Sequence, residues 1–196
     1  MPPELFRQRP CRDIIQALTM TATDPRYPIG EFAAPDNFAA APIDQWLTDI
    51  KFLPNALEAA IHNLDEGQLK TPYRDGGWTV HQLVHHVADS HLNAYVRFKL
   101  GYTEDNPTVK TYEEKDWAQT ADVQTLPVNI SVTLLFALHQ RWHEFLKSFS
   151  ETDWQKTIYH PAQQKTIPLY ALLGSYAWHG RHHVAQINAM RQRYGW

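Results

Sequence analysis

Residues 168–194, PLYALLGSYAWHGRHHVAQINAMRQRY, carry the reading on which the rest of the chain depends. Pro168 suits the first turn of a helix, where its missing N–H would have no partner anyway. Leu169, Leu173, Tyr176, Gly180, Ile187 and Met190 then recur at helical spacing and define an inward face. His179 and His183 fall on that face or its edge, four residues apart. This spacing stacks two imidazoles on one side of a helix, the geometry in which a helix presents both to one metal ion. His182 is expected on the opposite side.

Three further amphipathic stretches precede this one. Residues 43–64 place Trp46, Leu47, Ile50, Leu53, Leu57, Ala60 and Ile61 at helical spacing, with Pro54 expected to kink the helix. In TPYRDGGWTVHQLVHHVADSH (71–91), Asp75-Gly76-Gly77 marks a turn, and Thr79 with Gln82 forms a capping box for a second helix. Gly101 is expected to end that helix in a left-handed conformation. Residues 128–149 form a third, with Leu134, Leu135, Leu138, Trp142, Phe145 and Phe149 inward. Between the third and fourth, residues 156–168 alternate apolar and polar around a Pro-Ala-Gln-Gln turn, which predicts a small hairpin. The expected architecture is all-α: a four-helix bundle with a small β-hairpin before the last helix.

Residues 103–127 are acidic, with six carboxylates against Lys110 and Lys115. So long a connection either lids a pocket or simply crosses the surface, and both readings are open. Residues 21–42 contain Pro25, Pro28, Pro35 and Pro42 and read as an extended arm. Residues 1–19 differ from the remainder. They read either as a disordered or untranslated extension before a start at Met20, or as a short helix from Asp13 to Met20; residues 20–196 form one domain.

Composition narrows the function classes. With 43% apolar and 12% aromatic residues, the 196-residue chain is long enough to bury one core. A net charge of -3 offers no electrostatic footprint for nucleic acid or an anionic membrane. Cys11 is the single cysteine, which fits a reducing cytoplasm. No apolar run approaches the ~20 residues of a membrane span, and the N-terminus lacks the pattern of a secretory signal.

Seven of the eleven histidines lie in two short stretches, His81, His85, His86 and His91 in one and His179, His182 and His183 in the other. Two imidazoles rarely hold a catalytic metal, so a third ligand is sought on the second helix. There Val80, Leu83, Val84, Val87, Ala94 and Phe98 form the apolar stripe. His91 lies near its centre, His86 on its flank beside Ser90 and Asn93, and His85 well away. Periodicity alone favours His91. His139 and His143 on the third helix repeat the four-residue spacing, but fall at the edge of its stripe and outside it, and read as solvated or rim residues.

The strings TPYRDGGWTVHQLVHHVADSH (71–91), RFKL (97–100), YHP (159–161) and WHGRHHVAQI (178–187) together resemble the DinB-like superfamily, and within it the YfiT branch of metal-dependent hydrolases. The resemblance covers about residues 27–196. It implies an up-down-down-up bundle holding zinc or nickel through three histidines, and a homodimer. The second histidine of the HHxAD motif is a ligand in the family, which lands on His86; the other two land on His179 and His183. His91 then becomes a core or supporting residue.

Three imidazoles with open coordination positions describe a catalytic site, where a divalent ion (Zn2+ first, Ni2+ second) activates water toward a small-molecule substrate. Asp89, one turn after His86, is either positioned to orient a ligand or the water, or is an exposed charge. Gln82, Ser90 and Asn93 share the side of His86, Tyr73 and Arg74 precede the helix, and Arg97 or Arg74 could read a carboxylate. Other branches of the superfamily resemble transferases or isomerases using a low-molecular-weight thiol, of bacillithiol type, at the same three histidines. A non-catalytic, metal-stabilised binding module is the third reading.

Overall fold

A computed structural model describes residues 24–196. The readings made for residues 1–19, and Cys11, lie outside the described residues. Four long helices dominate: α1 (Ile43–Ile61), α3 (Val80–Thr103), α6 (Val128–Lys147) and α8 (Leu169–Tyr194). Short helices occupy the connections, α2 (Glu66–Leu69), α4 (Glu114–Trp117), α5 (Ala121–Thr125) and α7 (Glu151–Trp154). Strands β1 (Thr157–His160) and β2 (Lys165–Pro168) pair antiparallel, with Ile158 opposite Ile167, and deliver the chain into α8.

The long helices pack in the cyclic order α1, α6, α3, α8. Cross-helix contacts show their directions. His85 meets Ser131 and His91 meets His139, so α3 and α6 run parallel. Trp46 lies against Gly174 and Leu53 against Gly180, so α1 and α8 also run parallel. Arg97 reaches Tyr176 while His86 reaches His179, so α3 opposes α8. The result is the up-down-down-up bundle that the family resemblance implies. Its α3–α6 link must travel the length of the bundle, because parallel neighbours cannot be joined by a tight turn.

Local chemistry accounts for the helix ends. Thr79 and Gln82 form both halves of the capping box on α3. Gly195, at φ +72°, closes α8 in the left-handed conformation that glycine adopts without steric cost. Gly101 does not end α3 as predicted. The helix continues to Thr103, and Gly101 is buried within it, because an added Cβ would stand 2.8 Å from both Ile158 and Leu169. Its missing side chain lets the hairpin and the start of α8 press onto α3.

Two apolar clusters build the core. One contains Trp46, Ile50, Phe98, Trp142, Leu146 and Leu173; the other contains Leu57, Leu83, Val84, Val87, Leu135 and Ile187. Along α3, α6 and α8, His91, His139 and His179 fall between the members of one cluster and those of the other. The bundle therefore carries a polar layer of imidazoles between two apolar halves.

The segment 103–127 is neither structureless nor a plain crossover. Val109, Ala118 and Val123 are buried. Val109 N–H donates to the Tyr159 carbonyl (3.0 Å), Arg97 to the Lys110 carbonyl (2.9 Å) and His81 to the Val123 carbonyl (2.7 Å). This packing also corrects the reading of His85. That side chain is buried, donating through Nε2 to the Leu126 carbonyl and accepting at Nδ1 from Ser131. The segment covers the flank of α3 that the apolar stripe leaves bare. Leu134, expected inward, is 43% exposed, because the buried face of α6 turns toward Leu135, Leu138, His139 and Trp142 to meet both α1 and α3.

Candidate metal centre

The centre forms where α3 faces α8. His86, His179 and His183 bring one nitrogen each within 4.8 Å of the others, the one such group of three or more His, Cys, Asp or Glu among the described residues. Gly180, beside His179 in sequence, faces α1 rather than α3. A Cβ there would lie 2.6 Å from Leu53, so its absence lets α8 seat against α1.

Hydrogen-bond chemistry fixes which nitrogens are free. Gln186 donates through its amide nitrogen to the Arg26 carbonyl (3.0 Å), so its Oε1 is the acceptor for His183 Nδ1 at 2.9 Å. His183 therefore carries its proton on Nδ1 and a lone pair on Nε2. A second series starts at Pro54. Having no N–H, it leaves the carbonyl of Ile50, one turn earlier, without a helical donor. His139 Nδ1 donates to that carbonyl (2.5 Å). His91 Nδ1 then donates to His139 Nε2 (3.1 Å), and His179 Nδ1 to His91 Nε2 (3.2 Å). His179, like His183, is left with a lone pair on Nε2.

These two lone pairs face each other at 3.2 Å with no hydrogen available to lie between them. His86 Nε2 stands 3.2 Å from His179 Nε2 on the other side. Nitrogens bound ~2.0–2.1 Å from one zinc at octahedral to tetrahedral angles are separated by about 2.9–3.4 Å. The residues present fit a divalent ion. Desolvation suits them further: it pushes His86 down to about 4, and holds His179 and His183 well below the usual histidine range, so all three imidazoles stay neutral near pH 7.

Two clefts flank the triad. One, of about 430 Å³, is bordered by His183, His182, Trp78, Tyr27, Tyr73 and Arg74. The other, of about 360 Å³, is bordered by His179, Tyr176, Ser90, Arg97, Tyr112 and His160. Glu114 of α4 lines both, and among the described residues is the one carboxylate that lines either. Desolvation by the surrounding protein raises its pKa, opposed by the nearby Arg97 guanidinium. The acidic crossover thus contributes directly to the walls of the site.

The family model of the DinB superfamily matches residues 50–187, which span all four long helices in whole or part. The chain belongs to that superfamily. A DinB relative from Geobacillus thermodenitrificans, named "Putative metal-dependent hydrolase", is 50% identical over 178 residues, covering 90% of this chain and all of its own. A Bacillus mycoides relative of the same description is 51% identical over 173 residues, covering 88% of this chain and 99% of its own. Among solved structures, YfiT from Bacillus subtilis, described as "a probable metal-dependent hydrolase with an unusual four-helix bundle topology", superposes with a TM-score of 0.85. It is 41% identical, and the match covers 88% of this chain and 98% of YfiT. A mycothiol-dependent maleylpyruvate isomerase shares the DinB fold at a TM-score of 0.61 and 19% identity, covering 78% of this chain and 63% of its own. No helix of the described residues is long and apolar enough to cross a membrane.

Several site residues differ from their sequence reading. His139 is 1% exposed, not a rim residue, because α6 rotates it toward α1 and α3. His143 remains partly exposed beside Glu144. His182 is buried as well. The arm from residue 24 onward covers that side of α8, placing Tyr27 5.9 Å from the His182 ring, which also stacks on Trp178 at 4.5 Å. Asp89 makes no side-chain hydrogen bond to any imidazole among the described residues; desolvation and the neighbouring Asp122 raise its pKa to about 6. Gln82 ties α3 to the Ala118 carbonyl, and Asn93 returns to the Asp89 carbonyl. The residues supporting the triad are His91, His139 and Gln186. A hint of His139 was legible in Pro54, which leaves a carbonyl in need of a donor.

Proposed function

We propose that this chain is a metal-dependent hydrolase in which His86, His179 and His183 hold one divalent ion, Zn2+ in preference to Ni2+. One observation carries the reading: the Nε2 lone pairs of His179 and His183 face each other at 3.2 Å, and His86 Nε2 stands 3.2 Å from that of His179. Bound there, the ion would supply Lewis-acid polarisation of a substrate oxygen and a lower pKa for water. The chain's own groups do the rest. Glu114, the carboxylate common to both clefts, accepts the proton released from water and returns it to the leaving group. Arg97 and Ser90 bind the polar end of a small-molecule substrate beside His179, while Trp78, packed 4.5 Å from the His86 ring, excludes bulk water.

The test is metal content and activity measured together. Chelator-free protein should contain one ion per chain. His86→Ala, His179→Ala and His183→Ala should each lose it, while His143→Ala, outside the triad, should keep it. Ester and amide panels should show turnover in parallel with metal content. A low-molecular-weight thiol with an electrophile is the comparison assay, since thiol transfer would use the same three imidazoles. Metal retained in all three variants, or thiol conjugation without hydrolysis, would overturn the reading.

A further inference from the structure

We propose that His91 and His139 are positioning residues for the metal centre, forming a buried relay that runs from the Ile50 carbonyl to His179 and fixes which nitrogen of His179 is free. The inference rests on His179 being a ligand, and extends that reading to two residues that touch neither metal nor substrate.

A neutral imidazole has one N–H and one lone pair, so a chain of imidazoles has a direction, and whatever terminates it chooses that direction. Here the terminus is a backbone carbonyl, which can only accept. Pro54 withholds the N–H that would otherwise occupy the Ile50 carbonyl from within α1. His139 takes its place from α6. The Nδ1–H of His139, then of His91, then of His179 follow in turn across α6, α3 and α8. The reverse direction would set a lone pair of His139 against the Ile50 carbonyl. It would also put a proton on His179 Nε2, the atom facing His86 and His183.

Burial keeps the relay intact. His91 is 0% and His139 1% exposed, packed against Trp142 and, for His91, Tyr176, so no water supplies an alternative partner. Metal-bound histidines generally give their second N–H to a partner that fixes tautomer and ring orientation, and losing that partner typically weakens metal binding about 10–100-fold. In this protein the partner is another histidine, and its own orientation is set two residues further along.

Long-range proton–nitrogen correlation spectra of metal-free, 15N-histidine-labelled full-length protein read the tautomers directly. His139, His91 and His179 should all be in the Nδ1–H form. Zn2+ competition against a fluorescent chelator then compares wild type with His139→Leu and His139→Gln. The leucine variant should bind Zn2+ about 10–100-fold more weakly and show His179 in mixed tautomers. Glutamine, whose amide offers both a donor and an acceptor, should recover much of the affinity. An Nε2–H form at His179 in wild type would overturn the proposal. So would a folded His139→Leu protein with unchanged Zn2+ affinity and an unchanged His179 tautomer. Should the leucine variant not fold, the wild-type tautomers decide. Wild-type protein that binds no Zn2+ yet shows the three Nδ1–H forms would overturn the metal reading and leave the relay standing.

Discussion

Gln186 accepts the Nδ1–H of His183 at 2.9 Å, and with its amide nitrogen holds the Arg26 carbonyl and His182 Nε2 at 3.0 and 2.9 Å. One side chain thus orients an imidazole of the triad and anchors residues from Arg26 over α8. Gln186→Leu should weaken Zn2+ binding about 10–100-fold and speed proteolytic cleavage in residues 24–31. Gln186→Glu, which keeps the acceptor, should retain the affinity better. Chelator competition and limited proteolysis check both. Equal affinities for the two variants would mean that the His183 hydrogen bond does not matter.

Glu114 is the carboxylate shared by the two clefts. As the proton acceptor it should lower kcat by about 100-fold or more when changed to Gln, with metal content and KM near wild type. Steady-state kinetics on any ester turned over by the protein would show this. A loss confined to KM would assign Glu114 to substrate binding instead.

At Gly180 the close approach of α8 to α1 leaves no room for a side chain. Alanine favours a helix interior by about 1 kcal/mol over glycine, but its Cβ would meet Leu53, itself 4% exposed, at 2.6 Å. Overpacking of this kind costs about 1–3 kcal/mol. Gly180→Ala should therefore be destabilised in urea denaturation. A gain in stability would mean that Leu53 moves aside freely.

Acid should destabilise the metal-free protein. Burial depresses His86 and His139 to about 4, whereas unfolded imidazoles protonate near 6.5. Between these values the unfolded chain binds more protons, so stability present above pH 6.5 is lost as pH falls toward 4. Asp89 acts with the opposite sign. Its pKa rises to about 6 from 3.8, so its penalty develops as pH climbs through that interval and persists at pH 7. Asp89→Asn should raise stability at pH 7 and leave Zn2+ affinity unchanged. Urea midpoints from pH 4 to 8 in the presence of chelator test both signs, and a fall in Zn2+ affinity would restore Asp89 to the centre.

Much of the architecture was legible because it rests on short-range rules. The Thr79–Gln82 capping box, the hairpin around Pro161–Gln164 and the four apolar periodicities each depend on residues within a turn or two of one another. Helical spacing also singled out His179 and His183. It failed at His85, His139 and His182. Each is covered by a segment distant in sequence: the crossover at Leu126, α1 at Ile50, and the arm at Tyr27. A helical wheel ranks residues around one axis, but does not contain the neighbours that cover its flanks.

The sequence by itself determined the number of long helices, the capping box that opens α3, the hairpin, and one pair of histidines sharing a helix face. Those features follow from backbone sterics and a period of 3.6 residues, which every chain carries locally. Periodicity pointed to His91 and the family resemblance to His86; only the tertiary structure brings His86 to that pair and sets His91 behind it, 48 residues from its partner His139, which lies 89 residues from Ile50. The physical reason is rotation. Turning α3 or α6 about its own axis by one residue's ~100° leaves its periodicity unchanged, yet exchanges which imidazole meets α8 and which meets the carbonyl that Pro54 leaves free.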